Sequence, residues 1–321
     1  LLEAIYEQDF LRCRYGYRPG VGALDAVDKL TVKLQFGRYH YVVEADIKGF
    51  FDNLDHDWMV RMLAERIEDR AFLGLIRKWL RAGILDTTGA ILHPVTGTPQ
   101  GGVVSPVLAN VYLHYVLDLW FEHVIKPQCR GEACLLRYAD DYICAVEYQA
   151  EGERFYVALG PRLEQFGLTL AAEKTRILPF SRHQPPGQGR FEFLGFEFHW
   201  GQDRGGKAHL KRRTARAKLR ASLQRFTHWC RENRPRRLRE LFKQLNSKLR
   251  GYYQYYGVHG NSRSLQQFFD GAVRLLLKWL NRRSQRHSYN WQGFTALLER
   301  FKVARPRIVG YPKRRKATAM A

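Results

Sequence analysis

The residues best suited to chemistry are two adjacent carboxylates, Asp140 and Asp141, which lie between short runs of apolar, β-branched and aromatic residues. Runs of this kind on both sides of a tight polar pair are typical of a β-hairpin with the acids at its turn. Two neighbouring anions repel each other, and a hard divalent cation such as Mg²⁺ relieves the repulsion because it takes carboxylate oxygens as ligands. An isolated Asp-Asp pair is more often a solvated turn, so the interpretation depends on the rest of the chain.

A third acid, Asp46, lies near the end of an apolar run, Tyr41–Ile47, that we predict to be a β-strand. An acid in this position can converge with side chains of neighbouring strands on one ligand, or it can simply cap the turn Lys48–Phe51 that follows. Asp55 then offers an N-cap to the next predicted helix.

A glycine-rich loop, Gly97–Gly102, precedes a strongly apolar helical pattern that runs to Leu119. Its glycines permit a close approach of the backbone to a ligand, and a loop of this kind before a helix can cradle a phosphate, although that signal alone is weak. Ser105 is predicted to be the N-cap of this helix, with Pro106 at its first position.

The segments after the acidic pair also have clear patterns. Residues 151–167 predict an amphipathic helix, and a strand-like Leu168–Leu170 leads to Lys174. The stretch Phe191–Phe198 alternates aromatic with small or acidic residues, which indicates a half-buried hairpin strand. Helices rich in Arg and Lys are predicted at about residues 214–231, 237–256, 264–283 and 291–301.

Charge is distributed unevenly along the 321 residues. Residues 1–200 hold 22 Lys and Arg against 26 Asp and Glu, whereas residues 201–321 hold 31 against 5. Such an excess indicates a polyanionic partner, with nucleic acid ranked first and an anionic membrane second. Five cysteines without a C-x-x-C pair favour a reducing compartment, and the sequence shows neither a secretory signal nor a run of about 18 apolar residues. We therefore expect a cytoplasmic protein without a membrane partner.

Taken together, these features resemble the palm of a reverse transcriptase, and the sequences of the motifs are similar to those of group II intron-encoded proteins. The resemblance covers nearly the whole chain, with the motifs in the family's order. The matching stretches are Tyr15–Gly20 (Y-G-Y-R-P-G), Asp46–Asp52 (D-I-K-G-F-F-D), Gly97–Pro106 (G-T-P-Q-G-G-V-V-S-P), Tyr138–Asp141 (Y-A-D-D), Lys174-Thr175 and Phe193–Phe196 (F-L-G-F). The basic helices with Leu249–Tyr253 (L-R-G-Y-Y) resemble the family's thumb, or maturase, domain.

The resemblance implies an α+β fold: a right-hand polymerase palm, with an antiparallel sheet and packed helices, followed by an all-α basic thumb or maturase (X) domain. The family's N-terminal extension and finger strands do not precede the first motif here, so we expect the natural protein to start upstream of Leu1. The implied divisions are partial fingers at residues 1–39, the palm at 40–208, the helical thumb at 209–301 and a basic tail at 302–321.

The resemblance also implies a metal site. Asp46 and Asp140 would bind two Mg²⁺ ions, or Mn²⁺ in their place, with Asp141 supporting them and the Ile47 carbonyl as a further ligand. Lys174 matches the residue that would protonate the departing pyrophosphate as a general acid.

For the substrates, the resemblance implies that Phe51, five residues after Asp46, is a steric gate. A ring there would collide with a ribose 2′-hydroxyl and so favour dNTPs. Arg18 would contact the nucleotide, although its spacing alone indicates an ordinary surface arginine. The nascent base pair would be lined by Pro99, Gln100 and Gly101. The primer grip would be formed by Phe193, Leu194, Gly195 and Phe196.

The sequence thus predicts an RNA-directed DNA polymerase of a bacterial retroelement, associated with the nucleoid. It would add dNTPs to a DNA primer on an RNA template, bind the RNA–DNA duplex, and assist splicing of a structured intron RNA. Two alternatives stay open: an RNA-binding maturase that makes no DNA, and a domesticated reverse transcriptase serving DNA repair or phage defence. A polymerase that copies RNA into RNA is disfavoured by Phe51, where a smaller residue would be expected.

Overall fold

The structure, a computed structural model, describes residues 1–81, 84–85, 91–92, 96–98, 102, 104–184, 188–283 and 288–309. The chain folds into two compact units, the first made of Leu1–Leu194 with His199–Leu210 and the second of Gly195–Phe198 with Lys211–Ala321. The finer division at residues 1–39, 40–208, 209–301 and 302–321 stays a prediction.

Strands and helices alternate through the first part of the chain, and helices dominate after it. Within the described residues the α-helices are α1 (Leu2–Tyr6), α2 (Ala23–Phe36), α3 (His56–Ala64), α4 (Arg70–Arg81), α5 (Ser105–Leu113), α6 (Gln149–Glu164), α7 (Arg216–Asn233), α8 (Leu238–Tyr256), α9 (Ser262–Leu280) and α10 (Trp291–Arg300). The strands of the same residues are β1 (Tyr41–Ala45), β2 (Ile84–Leu85), β3 (Ile91–Leu92), β4 (Ala133–Tyr138), β5 (Asp141–Val146), β6 (Arg176–Pro179), β7 (Arg190–Phe193), β8 (Phe196–Gln202) and β9 (Ala208–Thr214).

The centre of the first unit is a four-stranded antiparallel sheet with the strand order β4-β5-β1-β6. β1 pairs with β5 on one side, where Ala45 lies opposite Tyr142, and with β6 on the other, where Glu44 lies opposite Arg176. Because neighbouring strands run in opposite directions, the end of β1 and the start of β5 lie at the same edge of the sheet. The register therefore brings the residues after Ala45 next to those before Tyr142.

β1 and β5 are apolar along most of their length because they lie in a buried core. Val43 and Cys144 are fully buried in one cluster with Phe155 and Leu159 of α6. Burial of each large apolar side chain in such a cluster contributes about 1.5–3 kcal/mol relative to exposure. Gly152 of α6 lies against the sheet, since a Cβ there would be in van der Waals contact, at 3.4 Å, with a methyl carbon of Val43. The predicted helix over residues 151–167 and the strand after Tyr41 are thus confirmed, with small shifts at their ends.

The helix after the glycine-rich loop differs from its prediction in two respects. It begins at Ser105, so Val104 is the N-cap, and the prediction of Ser105 as the cap was wrong by one position. The segment is α-helical only to Leu113 and continues as two π-helical segments, His114–Asp118 and Phe121–Ile125, whereas one continuous α-helix was predicted.

The first π-helical segment accepts side-chain hydrogen bonds from α6. The guanidinium of Arg162 donates hydrogen bonds to the carbonyl oxygens of Tyr115 and Val116, at 3.0 Å each. These carbonyls lie in the first π-helical segment, and a distant arginine supplies donors to them. The departure from α-helix in the first segment thus coincides with a tertiary contact, which hydrophobic periodicity along α5 could not reveal.

The aromatic stretch predicted as one half-buried strand is a hairpin of two strands. β7 and β8 are joined by a two-residue turn in which Leu194 and Gly195 both have positive φ, 50° and 79°. Two positive φ angles are typical of a type I′ turn, whose twist matches that of the flanking strands. β9 completes a second sheet in the order β7-β8-β9, and it was not predicted because its sequence is basic rather than aliphatic.

The second unit contains α7, α8, α9 and α10, whose ends lie within three residues of the predicted ones. Their apolar faces form a core in which Tyr253 is buried and Tyr252 stacks on Phe268, with ring centroids 3.6 Å apart. Aromatic side chains of these basic helices therefore form part of the bundle core. Of the helices that the structure describes, none combines the length and the apolar character needed to cross a membrane.

Candidate active site

The two adjacent acids lie at the tip of the hairpin formed by β4 and β5. β4 ends at Tyr138 and β5 begins at Asp141, so the turn consists of Ala139 and Asp140. Ala139 has a φ of 57°, a left-handed conformation that costs a non-glycine residue roughly 1–3 kcal/mol. The contacts around the turn must therefore stabilise a conformation that the chain would not adopt alone.

The position of Asp140 perturbs its ionisation. Burial raises the pKa of its carboxyl, a backbone hydrogen bond opposes that rise, and the negative charge of Asp46 adds to it. Asp46 and Asp140, which are separated by nearly a hundred residues in the sequence, thus lie close enough to repel each other. A cation between them would favour the charged form of both carboxyls.

Asp46 lies just beyond β1, where a short bridge pairs Ile47 with Leu170. The bridge uses the carbonyl oxygen of Asp46, which accepts a hydrogen bond from the backbone N–H of Ala171 at 2.9 Å. It does not use the carbonyl of Ile47, the predicted backbone ligand. The backbone beside Asp46 is therefore fixed while its side chain is left to face the edge of the sheet.

Lys174 contacts the first of the predicted metal ligands. Its Nζ lies 2.7 Å from Oδ2 of Asp46, and it belongs to a 3-10 helix, Ala172–Lys174, that follows the bridge. The hydrogen bond and the negative charge of Asp46 raise the pKa of Lys174. The ammonium group therefore keeps its proton, and it already places a cation on this carboxylate.

An open cavity of about 420 Å³ lies at this edge of the sheet. Its wall contains three of the four predicted catalytic residues, Asp46, Asp141 and Lys174, together with the first half of the predicted primer grip, Phe193 and Leu194. The other half, Gly195 and Phe196, belongs to the second compact unit. The residues that line the cavity include Glu44, Asp46, Asp141, Lys174, Arg176 and Leu194.

The residues at this edge suit a hard divalent cation. Asp46, Asp140 and Asp141 supply carboxylate oxygens, and the mutual repulsion of Asp46 and Asp140 is the condition that a bound cation relieves. Within the described residues, no three His, Cys, Asp or Glu side chains lie together as a complete metal-binding group. Further ligands would have to come from backbone carbonyls, water or substrate phosphate, as is usual for Mg²⁺.

The predicted steric gate, Phe51, lies on a turn whose backbone forms hydrogen bonds with the start of the glycine-rich loop. Phe51 belongs to a 3-10 helix, Phe50–Asp52, and its carbonyl oxygen accepts a hydrogen bond from the N–H of Thr98 at 2.8 Å. Gly97 has a φ of 89°, and a Cβ there would lie 2.7 Å from the carbonyl oxygen of Asp52. Pro99, Gln100 and Gly101, predicted to line the nascent base pair, lie outside the described residues. Among the residues that are described, Phe51 is not part of the cavity wall.

Arg18 is not brought to the cavity. Its Nε donates to Oε1 of Glu7 at 2.8 Å, and its Nη1 donates to the carbonyl oxygens of Leu11 and Arg14 at 3.3 and 3.2 Å. Only 17% of its side chain is exposed. In this arrangement the guanidinium fastens the loop around it, and the predicted nucleotide contact stays untested.

A fully buried residue that sequence reasoning missed supports the acidic turn. Arg137 forms an ion pair with Asp118, with neither side chain exposed, and Nε lies 2.7 Å from Oδ1. Its Nη1 donates to the carbonyl oxygen of the strained Ala139 at 2.9 Å and to Oδ1 of Asn110 at 3.3 Å. One guanidinium thus links the turn to α5 and to the π-helical segment behind it.

The loop with the Y-G-Y-R-P-G sequence packs against the same turn. Asn110 donates from Nδ2 to the carbonyl oxygen of Gly16 at 3.0 Å, and a Cβ on Gly16 would lie 2.3 Å from the backbone nitrogen of Ala139. The backbone of Arg137 also pairs with this loop, since its N–H donates to the carbonyl oxygen of Cys13 at 2.8 Å. For the buried pair of Arg137 and Asp118, the sequence signal was the charge of Asp118 within a mostly apolar helical run.

The buried ion pair gives a direct test of this support. We expect Asp118→Ala to lower the free energy of unfolding by about 3–5 kcal/mol, because it leaves the charge of Arg137 buried and uncompensated. The double variant Asp118→Leu with Arg137→Met should recover a large part of the loss. Urea denaturation measures both. The control is Glu122→Ala, which breaks the exposed pair with Lys126 and should cost less than about 1 kcal/mol. A double variant as unstable as Asp118→Ala would contradict the explanation.

Comparison with known proteins places these observations in a family. Residues 2–198 match the family model described as reverse transcriptase (RNA-dependent DNA polymerase). Residues 213–295 match the group II intron, maturase-specific domain. The first model thus covers the part of the chain that contains Asp46, Asp140 and Asp141, which we call the acidic edge. The second model covers the basic helices that follow.

Curated relatives match a shorter stretch. The group II intron-encoded protein LtrA of Lactococcus lactis subsp. cremoris is 42% identical over 123 residues, which are 37% of this chain and 20% of LtrA. An uncharacterized 91 kDa protein in the cob intron of Schizosaccharomyces pombe is 41% identical over 124 residues, 39% of this chain and 15% of that protein. The matched part is therefore a fifth or less of each relative's length.

Among solved structures, the apo telomerase of Candida tropicalis is similar in fold, with a TM-score of 0.51 and 14% sequence identity, over 94% of this chain and 52% of that one. At this identity the likeness concerns the fold alone. It agrees with the antiparallel sheet and packed helices described above, as in a polymerase. Since the first family model covers more than half of the chain, the protein belongs to the reverse transcriptase family and carries a group II intron maturase-specific domain after its polymerase part.

Proposed function

We propose that this chain is the core of an RNA-directed DNA polymerase of the group II intron type, with a right-hand palm followed by a helical thumb. It would add dNTPs to a DNA primer on an RNA template. The observation that carries the proposal is the meeting of Asp46 with the Asp140 turn at one edge of the sheet, beside an open cavity. Membership of the reverse transcriptase family supports the same reaction.

In this proposal Asp46, Asp140, Asp141 and the Ile47 carbonyl hold two Mg²⁺ ions. When bound, the ions lower the pKa of the primer 3′-hydroxyl and neutralise charge on the triphosphate. The raised pKa of Lys174 keeps its ammonium group protonated, as a general acid for the departing pyrophosphate requires.

The substrates would be selected by the neighbouring loops. Phe51 would exclude a ribose 2′-hydroxyl, and the loop docked on its backbone would place Pro99, Gln100 and Gly101 against the nascent base pair. Phe193 and Leu194, which line the same cavity as Asp141, support a primer grip at residues 193–196. Arg18 would act on the nucleotide only through the loop that it fastens.

The basic helices would bind the RNA template, the RNA–DNA duplex and a structured intron RNA whose splicing the protein assists. Two observations support this role: the excess of 31 Lys and Arg over 5 Asp and Glu in residues 201–321, and the match to the maturase-specific domain. The same match favours one second candidate, a maturase that binds RNA without making DNA. The two candidates differ in their need for Asp46, Asp140 and Asp141: DNA synthesis requires these carboxylates, whereas RNA binding alone does not.

Asp140→Ala separates them. We expect it to abolish Mg²⁺-dependent extension of a DNA primer on an RNA template while leaving RNA affinity nearly unchanged, because the carboxylate acts on the metal and not on the RNA. Primer extension on gels and filter binding measure the two properties. Asp57→Ala removes a carboxylate whose side chain is 69% exposed on α3 and should change neither. Undiminished synthesis by Asp140→Ala would refute the metal assignment.

The gate assignment is tested by Phe51→Ala. Removing the ring should raise incorporation of ribonucleotides relative to deoxyribonucleotides, since nothing then collides with the 2′-hydroxyl. Single-nucleotide extension with each dNTP and rNTP measures the ratio of kcat/KM values. Phe51→Tyr keeps a ring and should keep the discrimination. If the alanine variant selects as well as the unaltered protein, Phe51 is not the gate.

RNA binding by the basic helices predicts a steep dependence on salt. With six or more phosphate contacts, affinity should fall roughly a thousandfold between about 50 and 200 mM salt, because each contact releases counterions. Replacing the exposed Arg239 and Arg250 of α8 with Gln should lower the slope by up to about two in a double logarithmic plot. Glu240→Gln, an exposed acid of the same helix, should not lower it. A flat salt dependence would contradict this binding surface.

A further inference from the structure

A fourth acid, Glu44, lies in the four-stranded sheet close to the predicted metal ligand Asp46. Glu44 lies on β1, two residues before Asp46, which follows the end of that strand. Glu44 also lines the cavity that contains Asp46 and Asp141. Only 14% of its side chain is exposed, so its charge is largely removed from water. A shielded carboxylate at this place needs partners.

Both oxygens of Glu44 have a partner on a different strand. Oε2 forms an ion pair with Nε of Arg176 on β6. Oε1 accepts a hydrogen bond from the backbone N–H of Glu192 on β7 at 2.9 Å. Hydrogen bonds to an ionised acceptor are about twice as strong as neutral ones. One carboxylate therefore connects three strands that come from separate parts of the sequence.

The connection joins two different sheets. β1 and β6 belong to the four-stranded sheet with the acidic edge, whereas β7 belongs to the sheet of order β7-β8-β9. Glu192 lies two residues before Leu194, whose φ of 50° is a strained conformation for a residue with a Cβ. A fixed N–H at Glu192 thus anchors the strand that leads into this turn.

We propose that Glu44 is a positioning residue that fixes the segment Phe193–Leu194 relative to Asp46, with Arg176 orienting the carboxylate. The inference rests on the proposed function, in which this segment contacts the primer end and Asp46 holds the metal. The distance between primer and metal then depends on one side chain that touches neither. A misplacement of about 1 Å between reacting groups is enough to lower a rate by roughly a hundredfold.

The chain offers a matched control for the test. Glu132 has the same kind of partners as Glu44, since Oε2 accepts from the backbone N–H of Arg38 at 3.2 Å and Oε1 from its Nε at 3.4 Å. It lies outside the cavity wall. Glu132→Ala therefore reports the cost of losing such contacts where no primer is expected.

The experiment compares Glu44→Ala, Glu44→Gln and Glu132→Ala in single-nucleotide extension on an RNA template. We expect Glu44→Ala to lower kcat about ten- to a hundredfold, with unchanged affinity for the template–primer duplex, because the primer binds but its end is misplaced. Glu44→Gln should recover much of the rate, since its amide oxygen still accepts from the N–H of Glu192. Glu132→Ala should extend primers at the rate of the unaltered protein. Equal rates for Glu44→Ala and the unaltered protein, or no recovery in Glu44→Gln, would overturn the inference.

A second measurement does not depend on polymerisation. Hydrogen exchange followed by mass spectrometry should show faster exchange at residues 190–194 in Glu44→Ala than in Glu44→Gln or Glu132→Ala, with the α-helices of the first unit unchanged. Unchanged exchange at residues 190–194 would overturn the inference. An unaltered protein that extends no primer would instead refute the proposed function, and the exchange result would then decide whether Glu44 anchors the segment.

Discussion

The buried pair of Arg137 and Asp118 is the interaction on which the acidic edge depends. Both charges are completely removed from water, and the desolvation of such a pair is offset only when its remaining donors and acceptors are also satisfied. Here Asn110 and the carbonyl of Ala139 supply that satisfaction. Arg137 therefore connects the strained turn to Asn110 of α5, and Asn110 in turn donates to Gly16 in the loop with the Y-G-Y-R-P-G sequence, so a change in any of them alters the surroundings of Asp140.

The same group shapes the electrostatics of the edge. A second buried guanidinium, Arg14, lies 3.3 Å from the centroid of the Phe10 ring, and burial together with the charge of Arg137 lowers its pKa to about 9. Arg137 also opposes the rise in the pKa of Asp140. The positive charge of Arg137 beneath the turn therefore favours the ionised form of Asp140, whereas burial and the negative charge of Asp46 oppose it.

Local patterns predicted most of the elements, because periodicity, caps and turn residues act over a few positions. The acidic hairpin, β1 and the four helices of the second unit were predicted in this way. The Arg137–Asp118 pair and the contact of Arg162 with the first π-helical segment join residues from different elements, so no local pattern predicts them. β9 was missed because its sequence is basic rather than aliphatic. For the site, the resemblance named Asp46, Lys174 and the acidic pair, whereas the contacts of Glu44 with β6 and β7 became visible only with the register of β1 against its neighbours.

The central place of β1 has a consequence for biosynthesis. Its partners β5 and β6 begin at Asp141 and Arg176, so β1 leaves the ribosome long before either of them. At about 5–20 residues per second, the apolar segment Tyr41–Ala45 waits roughly 7 to 27 seconds for its second partner, β6. An unpaired apolar strand is a template for association with other chains. During that interval the order of the strands in the sequence leaves β1 without its native neighbours, and the early helices are the parts of the first unit available to cover it.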